Sequence, residues 1–423
     1  MNASGAHVPL WEKISWALND FANNAFALVM VTAVYPLYFR DVVVGELGGG
    51  VDSDALWGTA ISIGMAVVAV TSPFMGAIAD RRRWRKRLLL IYTLVGVVAT
   101  GCASLVEPGM IMVGLLVVVV GNIAFEGSVI FYDALLPGLV DRRELGRWSG
   151  FGWSAGFIGG LLCLIVCLFL AKNGDMSLMF LVVAGWWLLW SLPVHILVKD
   201  RMPAPRVLDD GPGVWEQLSQ TWRAVRQNRD LTRFFIAFFL YNDGMATTFA
   251  FASLYATETM GFSTEDALTM LMAVQVTGVR GAVSLGFVAD RIGHARTIAM
   301  TLVVWCVIVV AAYLVTTPEA FWVVALTVGV VMGATQSASR GFLASGAPPQ
   351  EAGELFGFKA VAGRFSAVLG PLLFGWVSQW SGSQRIAILT VGVFFLGGLI
   401  LMLTVKDERA RLVMPSQAEE RSD

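Results

Sequence analysis

The chain has 423 residues, of which 56% are hydrophobic and only 14% charged, with a net charge of −1 and a mean hydropathy of +0.68. A soluble domain carries roughly a quarter charged residues, so this composition excludes a water-covered globular surface, and no nucleic-acid partner is expected. The four cysteines (Cys102, Cys163, Cys167, Cys306) lie inside apolar runs and the three histidines (His7, His195, His294) lie far apart. Neither a disulfide framework nor a metal or cofactor site is therefore expected.

From the start to Lys13 the chain is polar and charged with no small-residue cleavage pattern, so no cleavable signal is expected. An apolar helix needs about 20 residues to cross the hydrocarbon core. Twelve segments qualify, at 16–39, 55–79, 88–106, 110–134, 150–171, 177–198, 231–254, 265–289, 297–316, 319–343, 356–378 and 385–405. Trp16, Trp57, Trp84, Trp186 and Trp187 fall near their ends, as aromatic belts do. The class is thus an all-α polytopic membrane protein with two six-helix bundles, 1–198 and 231–405, a linker at 199–230 and a tail at 406–423.

Loop charge sets the expected orientation. Between spans 2 and 3 the chain reads RRRWRKR, from Arg81 to Arg87. Arg142, Arg143 and Arg147 follow span 4, Arg291 and Arg296 follow span 8, and Lys406, Arg409 and Arg411 open the tail. The opposite loops carry Glu46, Asp52 and Asp54, and Glu258, Glu265 and Asp266. Both termini are expected in the cytoplasm. The linker itself holds Lys199, Arg201, Arg206, Arg223, Arg226 and Arg229, with Pro203, Pro205 and Pro212 breaking its first part. Within 214–228, Trp215, Leu218, Trp222 and Val225 stand at helical spacing, which predicts an amphipathic helix on the membrane surface. A plain connecting helix is the simpler reading of it.

One signature occurs twice: Gly76-x-x-x-Asp80-Arg81 and, 210 residues later, Gly286-x-x-x-Asp290-Arg291-x-Gly293. Gly150-Phe151-x4-Gly156 and Gly357-Phe358-x4-Gly363, Pro137 and Pro348, and Asn19-Asp20 and Asn242-Asp243 repeat at comparable offsets. Two parallel six-span repeats place a substrate site at the midplane between halves. Gly152, Gly156 and Gly160 have the spacing for close helix contact.

The doubled loop motif resembles that of the major facilitator superfamily. Longer strings resemble one family within it, that of the fungal vacuolar amino-acid effluxer and its bacterial relatives. These are WALNDFANNAF from Trp16, NIAFEGSVIFYDALLP from Asn122, FFLYNDG from Phe238, QSASRGF from Gln336 and ELFGFKAVAGRFSAVLGPLLFG from Glu354. The chain departs from the pattern at Arg83 and Trp84, where glycine is usual, and at Asp133, where asparagine is frequent. The resemblance implies alternating access, amino-acid cargo and export.

Charges inside a span cost about 2.5–3.5 kcal/mol on insertion scales, so each marks a candidate site. On span 4, Asn122, Glu126 and Asp133 fall within about 40° of one another at 100° per residue. Asp20, Asn23 and Asn24 stand on span 1, Asn242 and Asp243 on span 7, Gln275 and Arg280 on span 8, Gln336 and Arg340 on span 10, and Lys359 and Arg364 on span 11. Acids dominate the first half and cations the second, so a zwitterion can bridge them, or they can pair as a gate. Depth assigns Asp20, Asp133, Arg340 and Lys359 to the gate. It leaves Asn23, Asn24, Asn122, Glu126, Asn242, Asp243, Gln275, Arg280, Gln336 and Arg364 for substrate or coupling. Gly76, Asp80, Arg81, Gly286, Asp290 and Arg291 are conformational candidates, their aspartates capping a helix or pairing with an arginine. The basic run doubles as an anchor for anionic lipid.

The expected function is a secondary transporter of a small polar solute, acting as a monomer in a bacterial inner membrane. Proton coupling through Glu126 or Asp243 and uniport both stay open. A drug, sugar or metabolite anion is the rival cargo, and a receptor without flux is the rival class. No catalytic arrangement points to an enzyme.

Overall fold

The computed structural model describes residues 8–45, 53–172, 175–201, 213–348, 351–366 and 369–407. Pro203, Pro205, Arg206 and Pro212 of the linker, Arg409 and Arg411 of the tail, and Glu46 and Asp52 of the first acidic loop lie outside them. Regular structure among the described residues is helical throughout, as backbone that must satisfy its own hydrogen bonds in hydrocarbon requires. Among the described residues, twelve helices are long and apolar enough to cross a membrane: Leu10–Val44, Leu56–Arg82, Arg85–Leu105, Ile111–Leu139, Arg142–Leu170, Met176–Leu197, Arg229–Ala252, Thr269–Ile292, His294–Leu314, Pro318–Gly346, Ala352–Ser381 and Gln384–Met402. They are called spans 1 to 12 below.

Spans 1 and 4 run past their expected ends. Span 1 runs on to Val44 through wide turns on either side of Pro36, at Ala27–Ala33 and Phe39–Val44. Span 4 carries Pro137 inside the helix and ends at Leu139, since packed neighbours tolerate one missing N–H. Span 11 is helical over its described parts, Ala352–Ser366 and Leu369–Ser381.

Between the halves, span 5 packs on spans 8 and 10, and span 11 on spans 2 and 4. These contacts gather on the side that carries the basic loops, and glycine makes them possible. A Cβ on Gly286 would stand 2.6 Å from the Gly146 carbonyl oxygen, and one on Gly146 2.5 Å from that of Gly286. Gly76 meets the Gly353 carbonyl in the same way, and Gly357 approaches Ser72 and Pro73 where Gly150 approaches Ala282. Each pair in one half has its counterpart in the other at the offset of the sequence repeat. The basic-loop side is therefore sealed by backbone against backbone.

The linker helix, Val214–Gln227, follows the predicted register but not the predicted face. Leu218, Thr221, Ala224 and Val225 are buried, whereas Trp215 is 73% and Trp222 52% exposed. The Trp215 ring lies 5.0 Å from that of Phe74 on span 2, and the Trp222 ring 5.8 Å from Phe358 on span 11. The helix thus docks on the junction of the halves rather than resting on lipid alone.

Candidate functional site

The two aspartates of the repeated motif do the same thing in opposite directions. Asp80, at the end of span 2, accepts hydrogen bonds from the backbone N–H groups of Gly353 (3.2 Å) and Glu354 (3.0 Å), in the first turn of span 11. Asp290, at the end of span 8, accepts from Gly146 (2.6 Å) and Arg147 (3.0 Å), in the first turn of span 5. A carboxylate at a helix N-terminus satisfies orphan donors and complements the positive end of the helix dipole. Each cap joins one half to the other, so both bonds exist only while the basic-loop side is closed. Asp80 also binds the guanidinium of Arg85 at 2.6 Å. Arg81 is half-buried and Arg291 exposed.

Deeper along the same seam lies a cluster with two acids and two cations. Arg340 is 2% exposed and donates to Asp20 at 2.8 Å and to Asp133 at 3.2 Å. Its other nitrogens donate to the Ser149 hydroxyl (3.0 Å) and carbonyl (2.7 Å) of span 5. Lys359 reaches the second oxygen of Asp133 at 3.4 Å. Trp16 and Tyr132 stack at 4.6 Å, the guanidinium sits 5.0 Å from the Trp16 ring, and Tyr132 donates its hydroxyl to Asp20 at 2.9 Å. Acids come from the first half and cations from the second, as their sign pattern along the chain anticipates.

About two turns beyond Asp133 on span 4, Glu126 forms an ion pair with Arg364 of span 11. This is a further ion pair across the halves, away from the sealed end. Asn122 is one further turn along the same face and is buried. The Asn122 amide nitrogen, the Asn23 amide oxygen and the Arg364 Nε are buried without a hydrogen-bond partner. Asn23 makes only a long contact, 3.5 Å, to the Ser128 hydroxyl. Asn24 is half-buried and lies against Gly156, whose missing side chain makes room for it.

Other candidates fall elsewhere. Asp243 is fully buried and faces backbone: it accepts from the Gly370 N–H of span 11 at 2.9 and 3.0 Å. Asn242 donates to the Ser366 hydroxyl at 2.7 Å and the Gly363 carbonyl at 3.3 Å, also on span 11. Together they tie span 7 to span 11. Arg280 is exposed, on one helical stripe with exposed Val276 and Phe287, and does not join the central group. Gln275 is buried and Gln336 half-buried.

Residues passed over in the sequence prove central. Arg85 read as one more charge of a basic run, yet it is 2% exposed and also donates to the Ala134 carbonyl of span 4 at 3.2 Å. Gly146 and Gly353 are the partners of the motif glycines, detectable only by applying the repeat offset to positions outside the motif. Trp153 lies 5.5 Å from the Arg340 guanidinium, and its indole nitrogen is buried without a partner. Outside the spans, Asp407 accepts from the Ala295 N–H at 3.0 Å, capping span 9. Burial pushes its carboxyl up, against the pull of that N–H.

Comparison with known proteins agrees with this architecture. The family model described as vacuole effluxer Atg22 like matches residues 10–147 and 144–413. The chain is 28% identical over 414 residues to the uncharacterized MFS-type transporter YxiO of Bacillus subtilis, covering 95% of this chain and 96% of that one. It is 22% identical over 475 residues to autophagy-related protein 22-1 of Penicillium rubens, covering 89% and 80%. Among solved structures, the human organic anion transporter MFSD10 matches with a TM-score of 0.77 at 14% identity, over 93% and 100% of the two chains. The transporter FucP in its outward conformation matches with a TM-score of 0.71 at 13% identity, over 93% and 98%. At such identities the structures speak for the fold alone. With the family model spanning both halves and the major facilitator architecture in place, the chain belongs to the vacuole effluxer Atg22-like family and is a multi-pass membrane transporter of a small-molecule substrate.

Proposed function

We propose that the protein exports a small amphoteric solute, a neutral amino acid in the simplest case, by alternating access. The observation that carries this reading is the Glu126–Arg364 pair. It opposes an acid of one half and a cation of the other away from the sealed end. A zwitterion replaces such a pair with its own charges, its ammonium on Glu126 and its carboxylate on Arg364. The unpartnered donors at Asn122 and Arg364 Nε give the carboxylate further hydrogen bonds. Because a desolvated ionic site is costly when left half-paired, the internal ion pair keeps it neutral while empty.

Orientation follows from the basic loops, which belong in the cytoplasm. On this reading the sealed end faces the cytoplasm. Identity of 28% to the Bacillus subtilis protein against 22% to the fungal one supports a bacterial cell membrane over a vacuole. When the solute leaves, and before Arg364 pairs again, Glu126 is free to take a proton, which couples export to the proton gradient. Transport that kept its pH dependence in Glu126→Gln would sink the coupling.

The test of the site is thermal stability of the purified protein against neutral, basic and acidic amino acids, dipeptides, sugars and organic anions. A ligand that binds the folded state at one hundred times its Kd adds about 2.7 kcal/mol of apparent stability. The expected result is stabilisation by neutral amino acids that Glu126→Gln and Arg364→Gln abolish. The unpartnered donors also suit a simple organic anion. Stabilisation by organic anions alone, lost in Arg364→Gln but kept in Glu126→Gln, would establish that reading instead.

A further inference from the structure

Glu354 stands where the Asp80 latch meets the linker helix. Its backbone N–H donates to Asp80 at 3.0 Å, across the halves. Its side chain is fully buried and accepts from Thr221 and Gln217 of the linker helix. That helix is fastened to the second half through Thr232, which donates to the Val225 carbonyl at 2.7 Å, and through the Asn228 cap on Leu231. It touches the first half through Trp215 and Phe74, one turn and a half before Asp80.

We propose that Thr221, Gln217 and Glu354 are positioning residues of the gate: the linker helix holds Glu354 so that the first turn of span 11 presents its N–H groups to Asp80. The inference rests on the alternating-access reading above.

Two geometric facts carry it. A hydrogen bond sealed from water is electrostatically stronger than one exposed to it, so the linker helix has a firm hold on the buried Glu354 side chain. The held residue is also the one whose N–H Asp80 takes. Gly353, the other donor, is packed against Asp80 and the Gly76 carbonyl so closely that no Cβ fits. Displacing Glu354 by a fraction of an ångström therefore lengthens both bonds of the latch. A linker helix that merely connected the halves would not need a buried carboxylate at this point.

The experiment measures distances by pulsed electron–electron resonance on the full chain in lipid nanodiscs. Spin labels replace exposed Arg143 in the first half and exposed Arg296 in the second, in a background without the native cysteines. Thr221→Val removes one donor, Thr221→Ser restores it, and Gln217→Ala removes the other at a half-buried site. Asp80→Asn serves as the reference for a weakened latch. The expected result is a shift of the closed-to-open ratio by about tenfold towards open in Thr221→Val and in Gln217→Ala, the size of one buried hydrogen bond, with Thr221→Ser close to wild type. An unchanged distribution in both variants, while Asp80→Asn opens, would overturn the positioning role and leave the latch standing. No change in any variant, Asp80→Asn included, would overturn both.

Discussion

Arg340→Leu removes the cation shared by Asp20 and Asp133. The guanidinium makes four hydrogen bonds of 2.7–3.2 Å, two to those carboxylates and two to Ser149. The acids and Ser149 belong to the first half and Arg340 to the second, so all four bonds are lost when the basic-loop side opens. Removing one partner of a buried ion pair costs about 3–5 kcal/mol. Here that cost falls on the closed state, because opening lets water reach the stranded carboxylates. At 1.4 kcal/mol per factor of ten, the closed-to-open ratio drops by about two to three and a half orders of magnitude. The assay is the label pair at positions 143 and 296, with Arg340→Leu in an otherwise unchanged chain. The expected outcome is that a long, open distance becomes the main population. Adding Asp133→Asn should restore part of the closed population, since Asp20 and Lys359 then balance in charge. A distribution identical to wild type, from monodisperse protein, would refute the reasoning that this cluster holds the gate.

Gly286→Ala should wedge the seam, because its Cβ would lie 2.6 Å from the Gly146 carbonyl oxygen. Overpacking costs about 1–3 kcal/mol, so maleimide labelling of a cysteine at buried Ser154 should accelerate about tenfold. An unchanged rate would mean the seam yields without opening. Arg83 has φ of +55° where the second repeat has Gly293 at +99°, a conformation that costs a non-glycine residue about 1–2 kcal/mol. Arg83→Gly should therefore raise the thermal midpoint in detergent, and a lowered midpoint would show that the side chain's contacts outweigh the backbone cost. In span 11 a Cβ on Gly370 would overlap the Thr247 hydroxyl and crowd Asp243. Gly370→Ala should lower the thermal midpoint, with Thr247→Ala recovering part of the loss; no recovery would place the damage elsewhere.

The twelve spans and the two halves were legible because hydropathy and the doubled motif are properties of single segments. The pairing of Asp20 and Asp133 with Arg340 and Lys359 was legible for a related reason: a charge in a span needs a partner, and the acids and cations sit in opposite halves. What the sequence concealed were matters of direction. Arg85 and Arg87 look alike in a basic run, yet Arg85 turns inward to Asp80 while Arg87 stays exposed. Asp243 repeats Asp20 in position, but its neighbour is the Gly370 N–H of span 11, which no spacing rule within span 7 reveals. Arg280 shares the rarity of an intramembrane charge with Arg364, and only packing shows that one is exposed beside Val276 and the other paired with Glu126. The linker helix had the right period, but periodicity names a stripe without naming what covers it. Trp215 and Trp222 form that stripe's exposed edge, while Leu218 and Thr221 are its buried side.

The central claim is that solute binds between Glu126 and Arg364 and is carried across. Flux of radiolabelled neutral amino acids through proteoliposomes containing the purified protein tests it directly. The account expects saturable flux in the wild type that Glu126→Gln and Arg364→Gln each abolish while remaining folded. Flux that persists undiminished in both variants, or none for any neutral amino acid, would contradict it.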